Sequence, residues 1–196
     1  AEKIDGAGAK RPGSAETASL IYDAWQNPKE KYPSEIIKIL RNRWFWEFTG
    51  GFYLPKSNEE INDGVILDLD SQNLKFENGK LVMNKDSLVQ RLRENDSLVK
   101  FVPFGFKTGK QTWKELANNK YIKERYGKEG AEKIAEIASK YKNNPYVNIF
   151  NSVNKEETRM SALNGGWGFD GGLSVNGGSW DGDGDGRAFG VCREEK

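Results

Sequence analysis

Between residues 15 and 26, Ala18, Ile21, Ala24 and Trp25 fall near one face at helical spacing, and Asn27-Pro28 ends the run. A second helix is expected after Pro33, with Ser34 as its N-cap and Ile36, Ile37 and Leu40 as its apolar stripe. The period then changes. Trp44, Trp46 and Phe48 alternate with Phe45, Glu47 and Thr49, a strand pattern or the end of the preceding helix. Three aromatics at period two point to the core, with a sugar-stacking platform as the lesser use. Gly50-Gly51 is expected to break this run, and the short strand Phe52-Tyr53-Leu54 to end at Pro55.

Val65, Leu67 and Leu69 alternate again. Asn78-Gly79 stands between two apolar-alternating stretches, the strongest short hairpin signal, because both turn residues must take positive φ. A helix follows, capped by Asp86 or Ser87 and carrying Leu88, Val89 and Leu92. Val99 to Phe106 reads as a strand that Pro103 confines to an edge or an end. Another helix begins at Trp113. From Lys128 to Tyr141 the spacing of Ala131, Ile134, Ala135, Ile137, Ala138 and Tyr141 is helical, with Lys and Glu on the other face. The last fifty residues read as strands and long loops. Together these elements predict an α+β fold without a βαβ parallel sheet, and no repeat of 20–50 residues is present.

One stretch stands apart. Residues 165–190 hold 11 of the 22 glycines, two tryptophans and the run Asp-Gly-Asp-Gly-Asp-Gly. Glycine has no side chain to pack and loses the most backbone entropy on ordering. The stretch is therefore a flexible tail or a surface displayed by the rest of the chain, and its anchored-looking ends favour display. The opening residues 1–14 are polar and Gly/Ala-rich, which predicts disorder there and a single domain over 15–196.

Composition narrows the chemistry. With 30 Lys and Arg against 29 Asp and Glu, the net charge is +1, which argues against a nucleic-acid partner held by phosphate neutralisation. No apolar run approaches the length of a membrane span. There is no histidine, which excludes His triads, bases and metal ligands. Cys192 is the single cysteine; beside Val191 it reads as a small buried hydrophobe. Asp181, Asp183, Asp185 and Gly186 match positions 1, 3, 5 and 6 of an EF-hand loop, but Cys192 stands where position 12 needs a bidentate Glu. The three aspartates are thus weak metal candidates. The glycines fit neither dinucleotide nor P-loop fingerprints. Trp167, Phe169 and Trp180, set among Gly, Ser, Asn and Asp, have the composition of a recognition surface: rigid aromatics for area and short polar groups for adaptable hydrogen bonds.

Residues 157–194, ETRMSALNGGWGFDGGLSVNGGSWDGDGDGRAFGVCRE, resemble the C-terminal variable region of proteins diversified by diversity-generating retroelements of archaea, bacteria and viruses. Such proteins have a C-type-lectin fold. The matching framework is Arg159-Met160-Ser161-Ala162, Gly172-Leu173, Val175 and the stretch from Gly186 to Val191, a closing strand. Adenine substitution in AAY codons yields Asn, Asp, Ser, Gly and Tyr, four of which are abundant here; Trp167 and Trp180 are not reachable that way and are framework or come from other codons. The resemblance implies a C-type-lectin-like fold with helical insertions and a variable region over about 160–191. It implies ligand contacts from Asn164, Gly165, Gly166, Trp167, Gly168, Phe169, Asp170, Ser174, Asn176, Gly178, Ser179, Trp180, Asp181, Asp183 and Asp185. It further implies receptor or ligand binding without catalysis or cofactor, a protein or glycan partner, and a place on a cell or virion surface. The alternatives are a calcium-dependent carbohydrate-binding module using Asp181, Asp183 and Asp185, and a hydrolase whose carboxylates the sequence does not nominate.

Overall fold

A computed structural model describes residues 2–166, 171–177 and 186–191. Apolar faces at helical spacing build α2 (Ser14–Gln26) and α3 (Lys31–Asn42), preceded by the short α1 (Glu2–Gly6). β1 (Phe45–Leu54) and β2 (Gly64–Asp68) follow, then the hairpin β3 (Lys75–Glu77) and β4 (Lys80–Val82). After them come α4 (Lys85–Arg93), β5 (Val99–Pro103), β6 (Gly109–Lys110), α5 (Trp113–Asn118) and α6 (Lys120–Ser139). Three strands close the order: β7 (Tyr146–Asn148), β8 (Glu157–Asn164) and β9 (Ser174–Asn176).

The fold is α+β, with a curled seven-stranded sheet in the order β5-β2-β1-β8-β9-β7-β6 and the separate hairpin β3-β4. Sheet neighbours pair antiparallel except β7 and β9, which are parallel. β5 is an edge strand and ends at Pro103, which has no N–H to give a further neighbour. The main core lies between one face of this sheet and α2, α3 and α6, where Ala18, Ile21, Leu40, Phe45, Ile134, Leu163 and Val175 meet.

Several local expectations change. Pro33 falls inside the first turn of α3, where its missing N–H costs no bond. Ser34 is therefore helical, its hydroxyl donating to the Lys31 carbonyl at 2.7 Å, and Glu30 holds the N-cap position. The cap of α4 is Asn84, whose side chain accepts from the Ser87 N–H at 2.9 Å. Gly50-Gly51 does not stop β1: a register shift between Glu47 and Gly50 absorbs the irregularity, and Leu74 and Met83 pack onto Gly50. α6 starts eight residues before Lys128, bending at Gly127 with φ 70°, a conformation open to glycine. The Asn78-Gly79 turn is as expected, with φ of 50° and 75°.

Residues 2–14, expected to be disordered, are tied to the body of the protein. Arg11 forks onto Asp5, donates to the Leu74 carbonyl at 2.8 Å and lies over the Phe48 and Phe76 rings. Phe48 N–H donates to the Pro12 carbonyl at 3.0 Å, and Lys10 exchanges backbone bonds with Val191. Those groups would otherwise be left without partners at the sheet margin.

The alternation in β1 is as expected only at Phe48, which is buried in a separate cluster with Leu74 and Leu81. Phe45, Glu47 and Thr49 point into the interior, whereas Trp44 and Trp46 are half-buried. A glutamate on the deep face needs partners, and α6 supplies them. Tyr126 donates to Glu47 Oε2 at 2.9 Å, Ser161 of β8 donates to the same oxygen at 2.7 Å, and Arg125 Nε stands 3.5 Å away. Arg125 also donates to the Tyr121 hydroxyl and the Thr49 carbonyl. Burial pushes the Glu47 carboxyl above its usual range, with Arg125 pulling it back.

Candidate binding face

Cross-strand pairing places eight residues on the sheet face opposite Phe45, Leu163 and Val175. Directly paired residues share a face, and neighbours along a strand alternate. One row runs Trp46, Ala162, Asn176, Asn148 across β1, β8, β9 and β7. The next runs Asn164, Ser174, Tyr146 and continues to Lys110 on β6. The signal for this face is the period-two pattern of three short strands: Ala162-Leu163-Asn164, Ser174-Val175-Asn176 and Tyr146-Val147-Asn148. Each sets an apolar residue toward the core between two residues on the other side. Lys110, Tyr146 and Asn148 were not among the nominated residues because the pairings of β6 with β7 and of β7 with β9 are non-local.

The structure corrects the expectation that Asn164, Ser174 and Asn176 are displayed. They are 2%, 1% and 4% exposed. Asn164 donates to the Arg43 carbonyl at 3.0 Å and accepts from the Gly166 N–H at 3.2 Å, so it fixes the turn leaving β8. Asn176 accepts from Asn148 at 3.1 Å across β7 and β9. The Ser174 hydroxyl is buried without a hydrogen-bond partner among the described residues.

Gly165 and Gly166 are corrected as well: they are not interchangeable side-chain positions. A Cβ on Gly165 would overlap the Tyr141 phenol, and one on Gly166 would overlap the Arg41 carbonyl. The same steric demand holds at Gly172, against the Asn144 carbonyl, and at Gly186, against the Trp46 indole. These glycines let the backbone pass close to α3, to the α6–β7 connection and to β1. Burial pushes the Tyr141 hydroxyl up to about 12 even though Arg41 opposes the shift.

The chain is tethered on each side of 167–170 and of 178–185. Gly165 N–H donates to the Leu40 carbonyl at 2.8 Å, and the Leu173 carbonyl accepts from Tyr146 at 2.9 Å. Gly177 N–H donates to the Asn148 carbonyl at 2.9 Å, and Arg187 exchanges bonds of 2.8 Å with Trp44 and Trp46. Beyond that, Phe189 stacks on Phe45 with ring centres 5.0 Å apart. The stretch from Gly186 to Val191, expected as a closing strand, makes two isolated bridges, Phe45 with Arg187 and Lys10 with Val191. Trp167, Gly168, Phe169, Asp170, Gly178, Ser179, Trp180, Asp181, Asp183, Asp185 and Cys192 lie outside the described residues.

The face carries side-chain amides, a hydroxyl, a phenol, an indole and an ammonium. Its amides at Asn164, Asn148 and Asn176 are engaged within the protein. Among the described residues no three Asp, Glu or Cys side chains come together as a metal-ligating group, and no helix is long and apolar enough to cross a membrane. In comparisons with known proteins, no family model, no characterised relative and no solved structure matches this chain.

Proposed function

We propose that this chain is a non-catalytic ligand-binding protein whose C-terminal segment is a retroelement-diversified surface on a C-type-lectin-like scaffold. The observation that carries the reading is the double tethering. The described residues that flank 167–170 and 178–185, namely Gly165, Leu173, Gly177 and Arg187, are each held by backbone hydrogen bonds, Gly165 to α3 and the other three to strands of the sheet or, at Trp44, to the residue just before β1. Such a frame tolerates many sequences between its fixed ends, and the side chains placed there set specificity. Burial of Asn164, Ser174 and Asn176 narrows the variable set to Trp167, Gly168, Phe169, Asp170, Gly178, Ser179, Trp180, Asp181, Asp183 and Asp185. The absence of histidine removes His-based catalysis, and Glu47 is committed to internal partners. The partner is a protein or glycan, and the place of action is a cell or virion surface.

Sequencing the coding locus in the source population tests this. Expected are a nearby repeat differing at adenines beside a reverse-transcriptase gene, and variation confined to 167–170 and 178–185 with Asn164, Gly165, Gly166, Gly172, Ser174, Asn176 and Gly186 constant. A locus without such a repeat, or with variation spread evenly over the chain, overturns the reading.

A further inference from the structure

The turn of α3 that tethers Gly165 also borders a surface groove, formed with the C-terminal end of α2. The groove is open to solvent, has a volume of about 320 Å³, and is lined by Trp25, Pro28, Ser34, Ile37, Lys38, Arg41 and Asn42. Its lining contains two cations and no acid. Lys38 and Arg41 are three residues apart on α3, so they share a helix face and repel one another. Neither is ion-paired with an acidic side chain among the described residues. The negative end of the helix accounts for a cation in the last turn. It does not account for a second cation beside an apolar wall of Trp25, Pro28 and Ile37 and two neutral hydrogen-bonding groups, Ser34 and Asn42.

Arg41 is also held in position. Its guanidinium lies over the Trp25 ring, 5.1 Å from the ring centre, and Trp25 in turn meets Tyr141 edge-on at 5.9 Å. A guanidinium held against an aromatic plane loses less freedom when it closes on an anion. The main chain of Arg41 meanwhile abuts Gly166. One residue thus faces the groove with its side chain and supports the first turn of the C-terminal segment with its backbone.

We propose that this groove is a binding site for an anionic group, a carboxylate or phosphate, carried on a small organic ligand. Lys38 and Arg41 neutralise the anion, the Trp25–Pro28–Ile37 wall receives the ligand's apolar part, and Ser34 Oγ and Asn42 Oδ1, whose donors are given to the Lys31 and Lys38 carbonyls, accept from its hydroxyls. The site belongs to α2 and α3, so it stands whether or not residues 167–170 and 178–185 are diversified.

The test is a titration of the full chain, followed by the backbone and indole amide signals in NMR spectra, with glucuronate, inorganic phosphate and glucose as separate probes. The expected result is movement of the Trp25 indole and α3 signals with glucuronate, with phosphate, or with both. Glucose should leave them in place. The anion that moves them at the lower concentration identifies the carboxylate or the phosphate as the ligand's charged group. Lys38→Glu should abolish the movement and Arg41→Gln should weaken it at least tenfold. Both positions are exposed, and an unchanged melting temperature will confirm that the variants fold. Equal movement with glucose, no movement up to about 10 mM anion, or a response retained in folded Lys38→Glu would each overturn the proposal.

Discussion

Arg125 Nε stands 3.5 Å from Glu47 Oε2, and both side chains are buried where α6 meets the centre of the sheet. The pair joins the helical layer to the two strands, β1 and β8, on which the candidate face depends. Arg125→Met leaves the carboxylate without its cation and is expected to cost about 3–5 kcal/mol. The double variant Glu47→Gln/Arg125→Met should recover most of that loss, since the amide still accepts from Ser161 and Tyr126. Urea denaturation of the unmodified chain, the single variants Arg125→Met and Glu47→Gln, and the double variant gives the coupling directly; additive losses would show that the two groups do not act as a pair. The deficit of Arg125→Met also depends on pH. Burial raises the Glu47 carboxyl above its ordinary 4.5, and removing Arg125 takes away the largest opposing influence, leaving only the Ser161 and Tyr126 hydrogen bonds to oppose it. A raised carboxyl favours the folded state while protonated, so the deficit is smallest below 4.5 and grows as pH rises through the folded value.

Glu115 shows the opposite sign. Its carboxylate accepts from Lys107 at 2.8 Å and from the Thr112 N–H at 2.7 Å, and these bonds hold it down to about 2. A lowered carboxyl contributes stability above its ordinary 4.5 and loses that contribution as pH falls through about 2. Glu115→Gln keeps a capping acceptor without the charge. Its melting temperature should fall below that of the unmodified protein near neutral pH, and the two should converge at about pH 2. A gap that stays constant with pH would assign the effect to shape and not to charge.

Asn84→Ala should cost about 1 kcal/mol, because it removes the acceptor for the Ser87 N–H at the start of α4. Asp86→Ala and Ser87→Ala should each change stability by less than about 0.5 kcal/mol. Chemical denaturation of the three variants separates the positions, and a larger loss at Asp86 or Ser87 would move the cap.

The misplaced cap shows where sequence reading stops. Asn84, Asp86 and Ser87 are all capping residue types, and only the backbone at Asn84, extended with ψ 115°, decides among them. Helices with a clean apolar face and the Asn78-Gly79 hairpin were legible because their signals are local. The depth of Glu47 was not, since the alternation in β1 marks two faces without saying which one α6 covers. The candidate face was half legible. Asn164, Ser174 and Asn176 could be nominated, but their burial follows from pairings of β8 with β1 and β9 that span up to 118 residues, as between Phe45 and Leu163. The glycines were the hardest case. A close approach to Tyr141 or to the Arg41 carbonyl leaves the same letter in the sequence as a freely variable position does.

Calcium is expected to leave the melting temperature unchanged. The run from Asp181 lacks the bidentate ligand at its twelfth position, where Cys192 stands. Melting curves in EDTA and in about 100-fold excess of calcium over a millimolar site check this, because a ligand at 100 times its dissociation constant would add about 2.7 kcal/mol. A calcium-dependent rise would restore the carbohydrate-module reading of Asp181, Asp183 and Asp185.

Gly166 and Gly177 flank the two candidate variable segments and should respond differently to the same substitution. A Cβ on Gly166 meets the backbone carbonyl of Arg41, which cannot rotate away, so Gly166→Ala should cost about 1–3 kcal/mol. The nearest atom to a Cβ on Gly177 is the Ser161 Cβ at 3.4 Å, an ordinary contact, so Gly177→Ala should stay within about 0.5 kcal/mol. Urea denaturation of the two variants measures the difference. If both glycines tolerate alanine, Gly166 is a side-chain choice after all and the variable segment begins before Trp167. If neither does, Gly177 belongs to the frame as Gly166 does, and the second variable segment begins at Gly178.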